Sequence, residues 1–296
     1  MTVPLVLIAH GSRSDAADAV IRTIAEQAGA ALPGVEVRVG YVDVRRPSVA
    51  DAVAGLDAAV VLPAFLASGY HVRTDLPAQL AAAIGSPAGR PALVGAAGPA
   101  GARDLPASPA LQERTGLPAV VRDVPASPAR QERSAPPALV RDLPASSRRD
   151  RAGFVVTSAL GPDPLLVRAA LARLADAGHR IGDMVVLAAA GSSDPAALAE
   201  VRAAGRMLGQ ALGRPVRVGF AATAGPRIDT LVDALRHEGA RRISVVPWLL
   251  APGVFHTRIT ESGADVVGAP LGAHPHVVAA VLQRYRAAVR AVPAAA

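Results

Sequence analysis

The chain has 296 residues, 31 basic residues that are all Arg, 24 acidic residues and a formal net charge of +7. Hydrophobic residues make up 51% and charged residues 19%, a balance that excludes a wholly disordered protein. No cysteine is present, which excludes disulfides, thiolate nucleophiles and cysteine-ligated zinc or iron–sulfur centres. Any metal must be held by His, Asp or Glu.

The length predicts about two domains of roughly 150 residues. The first residues, Met1–His10, lack a basic leader and run into Gly11-Ser12, so they read as a buried strand rather than a signal peptide. Val3–Ala9 is a continuous apolar run suited to a parallel sheet. Ser14 or Asp15 can cap a helix that runs to about Leu32. Val35–Val42 reads as a second strand, with a short helix from Ser48. Ala58–Phe65 reads as a third strand, and Asp75–Ile84 as a helix. Alternating strand and helix patterns predict parallel strands with right-handed crossovers.

Residues 98–150 break this pattern. The hexapeptide Arg103–Ser108 returns at Arg122–Ser127 and at Arg141–Ser146, a spacing of 19 residues. A Pro-rich unit without a regular apolar face is expected to be a low-complexity, disordered insert rather than a solenoid. Phe154–Ser158 then reads as a strand. Pro164–Ala177 reads as a helix with Gly178 as its stop.

From Met184 the first half starts again. Gly191-Ser192 follows an apolar run as Gly11-Ser12 does, at an offset of 180 residues. Val37–Tyr41 matches Val216–Phe220, and Pro47 matches Pro226, both at 179. Val60–Pro63 matches Ser244–Pro247 at 184. Matches held over separated blocks mark a duplicated domain. The expected layout is a first domain over residues 1–178, interrupted by the insert at 98–150, and a second over 179–296. Two such domains would enclose a cleft between them.

The copies differ in their ionisable groups. The first has His10 after strand 1, Asp43 after strand 2 and His71 after strand 3. The second has Ala190 and Ala222 in the first two places, and a displaced His256. Ligands of open α/β sheets bind at the carboxyl ends of the strands. His10, Asp43 and His71 are therefore expected at one rim, with donors suited to Fe²⁺, Co²⁺ or Ni²⁺. Arg45, Arg46, Arg73 and Arg258 lie beside the strand-end loops and could fork carboxylates, or simply face solvent. Ser12 and the helix start after it could hold another carboxylate, or serve as a plain cap. The isoelectric point of about 11.1 raises the question of nucleic acid, but no Arg run is interleaved with aromatics. No apolar stretch is long enough to span a bilayer. The expectation is a cytoplasmic protein that binds neither nucleic acid nor membrane.

The ordered set of motifs resembles the class II tetrapyrrole chelatases, in particular the two-domain sirohydrochlorin chelatases. The resemblance rests on Leu5–Ser12, on Tyr41-Val42-Asp43 with Pro47-Ser48, and on Leu62–Leu66 through Gly69-Tyr70-His71 and Asp75-Leu76-Pro77. It also rests on Ala159–Leu166 and on Pro247–Leu250 with Gly253–His256. It implies a chelatase-like α/β fold, and insertion of Co²⁺ or Fe²⁺ into sirohydrochlorin with release of two protons. In that reading His10 and His71 are the metal-binding and catalytic histidines, and Asp43 stands where the family often has Glu. No permanently bound cofactor is expected: the divalent metal is a substrate. The sequence leaves both a monomer and a homodimer open. Nickel insertion, or non-catalytic delivery of metal or tetrapyrrole, are the competing readings. A hydrolase is disfavoured because no Gly-x-Ser-x-Gly elbow occurs.

Overall fold

The structure is a computed structural model that describes residues 2–85 and 153–290. The expected insert at 98–150 lies outside the described residues. Two four-stranded parallel sheets carry the fold. In the first, β1 (Leu5–Ala9), β2 (Val37–Tyr41), β3 (Ala59–Pro63) and β4 (Phe154–Val156) lie in the order β2-β1-β3-β4. In the second, β5 (Met184–Ala189), β6 (Arg217–Phe220), β7 (Ile243–Trp248) and β8 (Val266–Val267) lie in the order β6-β5-β7-β8. Leu5 pairs with Val37 on one side and Val60 on the other. Val186 pairs with Arg217 and Val245 in the same way. The expected duplication is thus a duplication of topology.

All five residues of β1 and of β3 are buried. This is why their sequences are unbroken apolar runs: a central parallel strand is covered on both faces. Alternate residues feed different cores. Leu5, Leu7 and Ala9 face one apolar cluster, whereas Val6 and Ile8 face another.

The helices are placed by their caps and apolar stripes. In α1 (Asp15–Ala30), Ser14 accepts the Ala17 N–H, and Ile21, Ile24, Ala25 and Ala28 form the buried face. In α2 (Val49–Val53), Ser48 and Asp51 form a reciprocal capping box. A π-helical turn over His71–Asp75 precedes α3 (Leu76–Gly85). The helix expected from Asp75 is therefore extended backwards by a wider turn that contains His71. Asp163-Pro164, Asp194-Pro195 and His274-Pro275 start α4 (Pro164–Asp176), α5 (Pro195–Leu212) and α8 (Pro275–Val289). In each, a side-chain acceptor precedes a proline whose missing N–H costs nothing there. Gly178, at φ +82°, follows α4, and the His179 N–H bonds the Leu174 carbonyl, a Schellman stop as expected.

The helix between β1 and β2 packs in a different layer from the helix between β2 and β3. Residues of α1 and α5 share one large core with residues of α4 and α8, which links the two sheets. Residues of α2 and α3 cover the outer face of the first sheet. Residues of α6 (Ile228–His237) and α7 (Val254–Thr260) cover the outer face of the second. The last helix of each half also crosses over. Helix α4 packs on β7 and α5, and α8 packs on β3 and α1. Arg284 of α8 reaches the Leu160 carbonyl (2.9 Å), and the Tyr285 hydroxyl donates to the Val3 carbonyl (2.6 Å). The two halves are interlocked rather than merely joined.

Candidate functional site

In each sheet the connections reverse direction between the first and third strands: α1 leaves β1 toward the inner layer, and the π turn leaves β3 toward the outer one. Such a reversal opens a crevice at the carboxyl ends of the two strands. His10 directly follows β1, and His71 opens the turn after β3. Their ring centroids lie 4.3 Å apart with planes inclined at 71°. Phe65 lies 6.4 Å from the His10 ring, and the exposed Tyr70 lies 6.1 Å from the His71 ring.

The outer partners of both rings define their tautomers. His71 Nδ1 is 2.6 Å from Asp75 Oδ2, and His10 Nδ1 is 3.1 Å from the Gly11 carbonyl. A carboxylate and a carbonyl only accept hydrogen bonds, so Nδ1 donates in both rings. In the neutral ring this tautomer puts the lone pair on Nε2, the form in which imidazole holds a metal or takes a proton. Asp75 was not among the expected site residues. Its spacing of four from His71 was the available signal, because residues at that spacing meet on a helical turn.

Asp43 takes a different place. It follows β2, on the far side of β1 from β3. Neighbouring strands are about 4.8 Å apart, so the end of β2 is two spacings from the end of β3. Asp43 Oδ1 accepts the N–H of Val44 (2.7 Å), and Asp43 lines a hollow of about 330 Å³ with Val44, Arg46, Ser48 and Gln79. Among the described residues no group of three His, Cys, Asp or Glu is placed to hold a metal ion. The expected rim of two imidazoles and a carboxylate thus resolves into an imidazole pair with Asp75 behind one ring. A larger hollow, about 710 Å³, lies away from the histidines along β2 and α1, lined by residues such as Arg22, Val37 and Arg38.

The β1 and β2 exits are locked together at Gly11. Its φ is +96°, and a Cβ there would stand 1.9 Å from the Asp43 carbonyl oxygen. The Asp43 N–H donates to the His10 carbonyl (3.0 Å). Gly191 repeats the arrangement, with φ +103° and the Ala222 carbonyl oxygen 2.0 Å from a Cβ. The second half has kept the backbone device without the ionisable groups. Phe255 stands eight residues beyond Pro247, as His71 stands eight beyond Pro63. His256, one residue further, donates from Nε2 to the Gly268 carbonyl (3.3 Å).

The arginines divide. Arg45 donates to the Ser12 carbonyl (2.8 Å) and Asp15 (2.6 Å) and lies 3.4 Å from Asp18. Its guanidinium ties the β2 exit to the start of α1. Asp18 also accepts the Tyr41 hydroxyl. Burial first, then that bond, push the Tyr41 phenol up to about 12. Arg73 donates to the Ser68 carbonyl and to Glu200, so it too is engaged within the fold. Among the described residues Arg46 is exposed and meets only Asp51 (3.0 Å), and Arg258 is exposed on α7 without an ion pair. The Ser12 hydroxyl accepts the Ser14 N–H (3.1 Å), as Ser192 accepts that of Asp194 (3.0 Å). Both are turn-forming contacts.

The CbiX family model matches residues 4–177 and again residues 184–288. The chain belongs to the CbiX family. Its two tandem CbiX units correspond to the two sheets. A sirohydrochlorin cobaltochelatase of Methanopyrus kandleri is 37% identical over 83 residues, which are 26% of this chain and 58% of that protein. The aligned segment thus spans somewhat over half the length of that relative. SirB from Bacillus subtilis with Fe³⁺ has a similar fold, with a TM-score of 0.67 and 19% identity over 99% of this chain and 96% of that one. SirB of B. subtilis subspecies spizizenii in complex with cobalt gives a TM-score of 0.62 and 18% identity over 97% and 94% of the two chains. Among the described residues no helix is long and apolar enough to cross a membrane.

Proposed function

We propose that the protein inserts Co²⁺ or Fe²⁺ into sirohydrochlorin, with His10 and His71 as the residues that hold the metal and accept protons. The observation that carries the reading is the imidazole pair, each Nδ1 facing an acceptor, at the carboxyl ends of β1 and β3 in a CbiX unit.

The chemistry follows from the donors. Two imidazole nitrogens suit borderline divalent ions such as Co²⁺, Fe²⁺ and Ni²⁺. Two ligands leave the remaining coordination positions open, so the ion is held loosely enough to leave. Each metal that enters a tetrapyrrole displaces two pyrrole N–H protons, one for each positive charge of the ion. As the metal leaves an imidazole Nε2, that nitrogen becomes free to take a proton, and a neutral imidazole is an efficient acceptor near pH 7. Asp75 stabilises the imidazolium that results on His71. Sirohydrochlorin carries eight carboxylates, and of the four arginines expected to meet them Arg46 and Arg258 remain exposed. Asp43 lies on the adjacent strand end, where it can attract the incoming cation electrostatically without ligating it.

The test mixes purified protein with sirohydrochlorin and Co²⁺ or Fe²⁺ and follows the change in absorbance. The expected result is acceleration over the uncatalysed rate, lost in His10→Ala and in His71→Ala. Binding of metal or tetrapyrrole without acceleration would sink the catalytic reading and favour delivery. Full activity in either histidine variant would overturn the site assignment.

A further inference from the structure

The second half lacks the site's ionisable groups, yet it grips the loop that carries His71. Trp248, Glu200 and Asp194 of the second half reach this loop with polar contacts. The Trp248 indole N–H at the end of β7 donates to the Leu66 carbonyl (3.3 Å). Glu200 of α5 accepts the Ser68 N–H on one carboxylate oxygen and the Arg73 guanidinium on the other (3.3 Å). Asp194, the cap of α5, lies 3.8 Å from Arg73. Arg73 in turn donates to the Ser68 carbonyl (2.6 Å). Gly69 lies against Ser192 and Ala197, where an added Cβ would make ordinary contacts of 3.8 and 3.9 Å.

We propose that Glu200 is a positioning residue for His71. The second CbiX unit thereby supplies the anchor for a catalytic turn that the first unit carries. Glu200 holds the loop on both sides of His71 at once, through Ser68 before it and Arg73 after it. One carboxylate that fixes both flanks restrains the backbone from which the His71 ring projects. Asp75 orients the ring about its own bonds, whereas Glu200 fixes where the turn sits. Glu200 thus gives the half without ionisable strand-end groups a part in placing His71. The inference rests on His71 as a metal-holding imidazole, and its readout does not require turnover.

The test uses the full chain, with Co²⁺ titration and ¹H–¹⁵N spectra of the histidine rings, the His71 signals being assigned with His71→Ala. Glu200→Ala is expected to shift the His71 ring signals and to weaken Co²⁺ binding about tenfold, the lower end of the effect of losing an outer-sphere partner. In the chelation assay it should lower kcat more than it raises KM for the tetrapyrrole. Glu200→Gln keeps an oxygen acceptor for the Ser68 N–H and is expected to recover most of both properties. Arg73→Met removes the strut from the other side and carries the same expectation if Glu200→Ala does not fold. Wild-type His71 signals and Co²⁺ affinity in a folded Glu200→Ala or Arg73→Met protein would overturn the proposal. So would a folded Glu200→Gln protein as impaired as Glu200→Ala. A wild-type protein that binds Co²⁺ through His71 but does not turn over would refute the chelatase reading alone and leave this test decisive.

Discussion

Gly11→Ala and Gly191→Ala form a matched pair that separates fold from chemistry. Both glycines have φ near +100°, and in both a Cβ would fall about 2 Å from the carbonyl oxygen of the second-strand exit. Real Cβ atoms do not come within 3.0 Å of such an atom, so each substitution must push the adjoining strand ends apart by about an ångström. A side chain at this φ adds strain of about 1–3 kcal/mol. Both variants should therefore lose stability to a similar degree. For a folded region of this size about 1 kcal/mol lowers Tm by roughly 2–4 °C, so a drop of roughly 2–12 °C is expected in each. The chemical consequences should differ. Gly11 adjoins His10, and the Asp43–His10 backbone bond crosses the same point. A displacement of about 1 Å at a reacting group can cost around 100-fold in rate. Gly11→Ala should thus lower chelation by one to two orders of magnitude. Gly191→Ala should have a smaller effect, because Ala190 and Ala222 carry no ionisable group and the disturbance reaches His71 only indirectly, through the Ser192, Asp194 and Glu200 contacts with its loop. Calorimetry gives Tm, and absorbance-monitored metal insertion gives kcat. Equal loss of activity in the two variants, or near-normal activity in Gly11→Ala, would refute the argument that the first unit alone does the chemistry.

Asp75→Ala should lower kcat or Co²⁺ affinity by about 10–100-fold, the range for an outer-sphere partner of a metal-holding histidine. Asp75→Asn should fall between wild type and alanine, since its amide can turn either an acceptor or a donor toward Nδ1. Steady-state kinetics and Co²⁺ titration measure both, and activity within about twofold of wild type in Asp75→Ala, against the larger loss expected, would show that the 2.6 Å contact does not orient the ring. A third prediction concerns pH. His179 is held below the ordinary imidazole range by burial and then by the neighbouring Arg214 guanidinium. The unfolded chain therefore takes up a proton there more readily than the folded one, and stability falls as pH drops below about 6.5. His179→Gln should flatten that fall. Urea midpoints measured at mildly alkaline and mildly acidic pH check this, and an unchanged difference between the two conditions would contradict it.

Much of the fold was legible from residue order alone. Val3–Ala9 and Ala58–Phe65 are apolar without alternation because both faces of a central parallel strand are covered, and burial leaves that mark in any sequence. The Ser14 cap acts within three residues, so it too was readable. The loss of His10, Asp43 and His71 from the second copy was visible by comparison of the chain with itself. It pointed to the half that carries the imidazole pair.

Which strand ends become neighbours was settled by folding. β1 and β3 pair across 55 residues of chain, Leu5 against Val60, which brings His10 to His71 and leaves Asp43 one strand further out. Strand order depends on long-range pairing, which has no local signature. The same holds for Arg45 and Arg73. A loop arginine looks identical in sequence whether it faces solvent or reaches Asp15 or Glu200. The roles of Asp75 and Glu200 arose in the same way, from a π turn that aims one carboxylate at an imidazole and from two interlocked halves that bring the other against the loop that carries it. Residue order was enough to place the elements, their duplication and the two histidines. The partners of those residues came from the folded chain, because partners are a property of packing between segments and not of any segment alone.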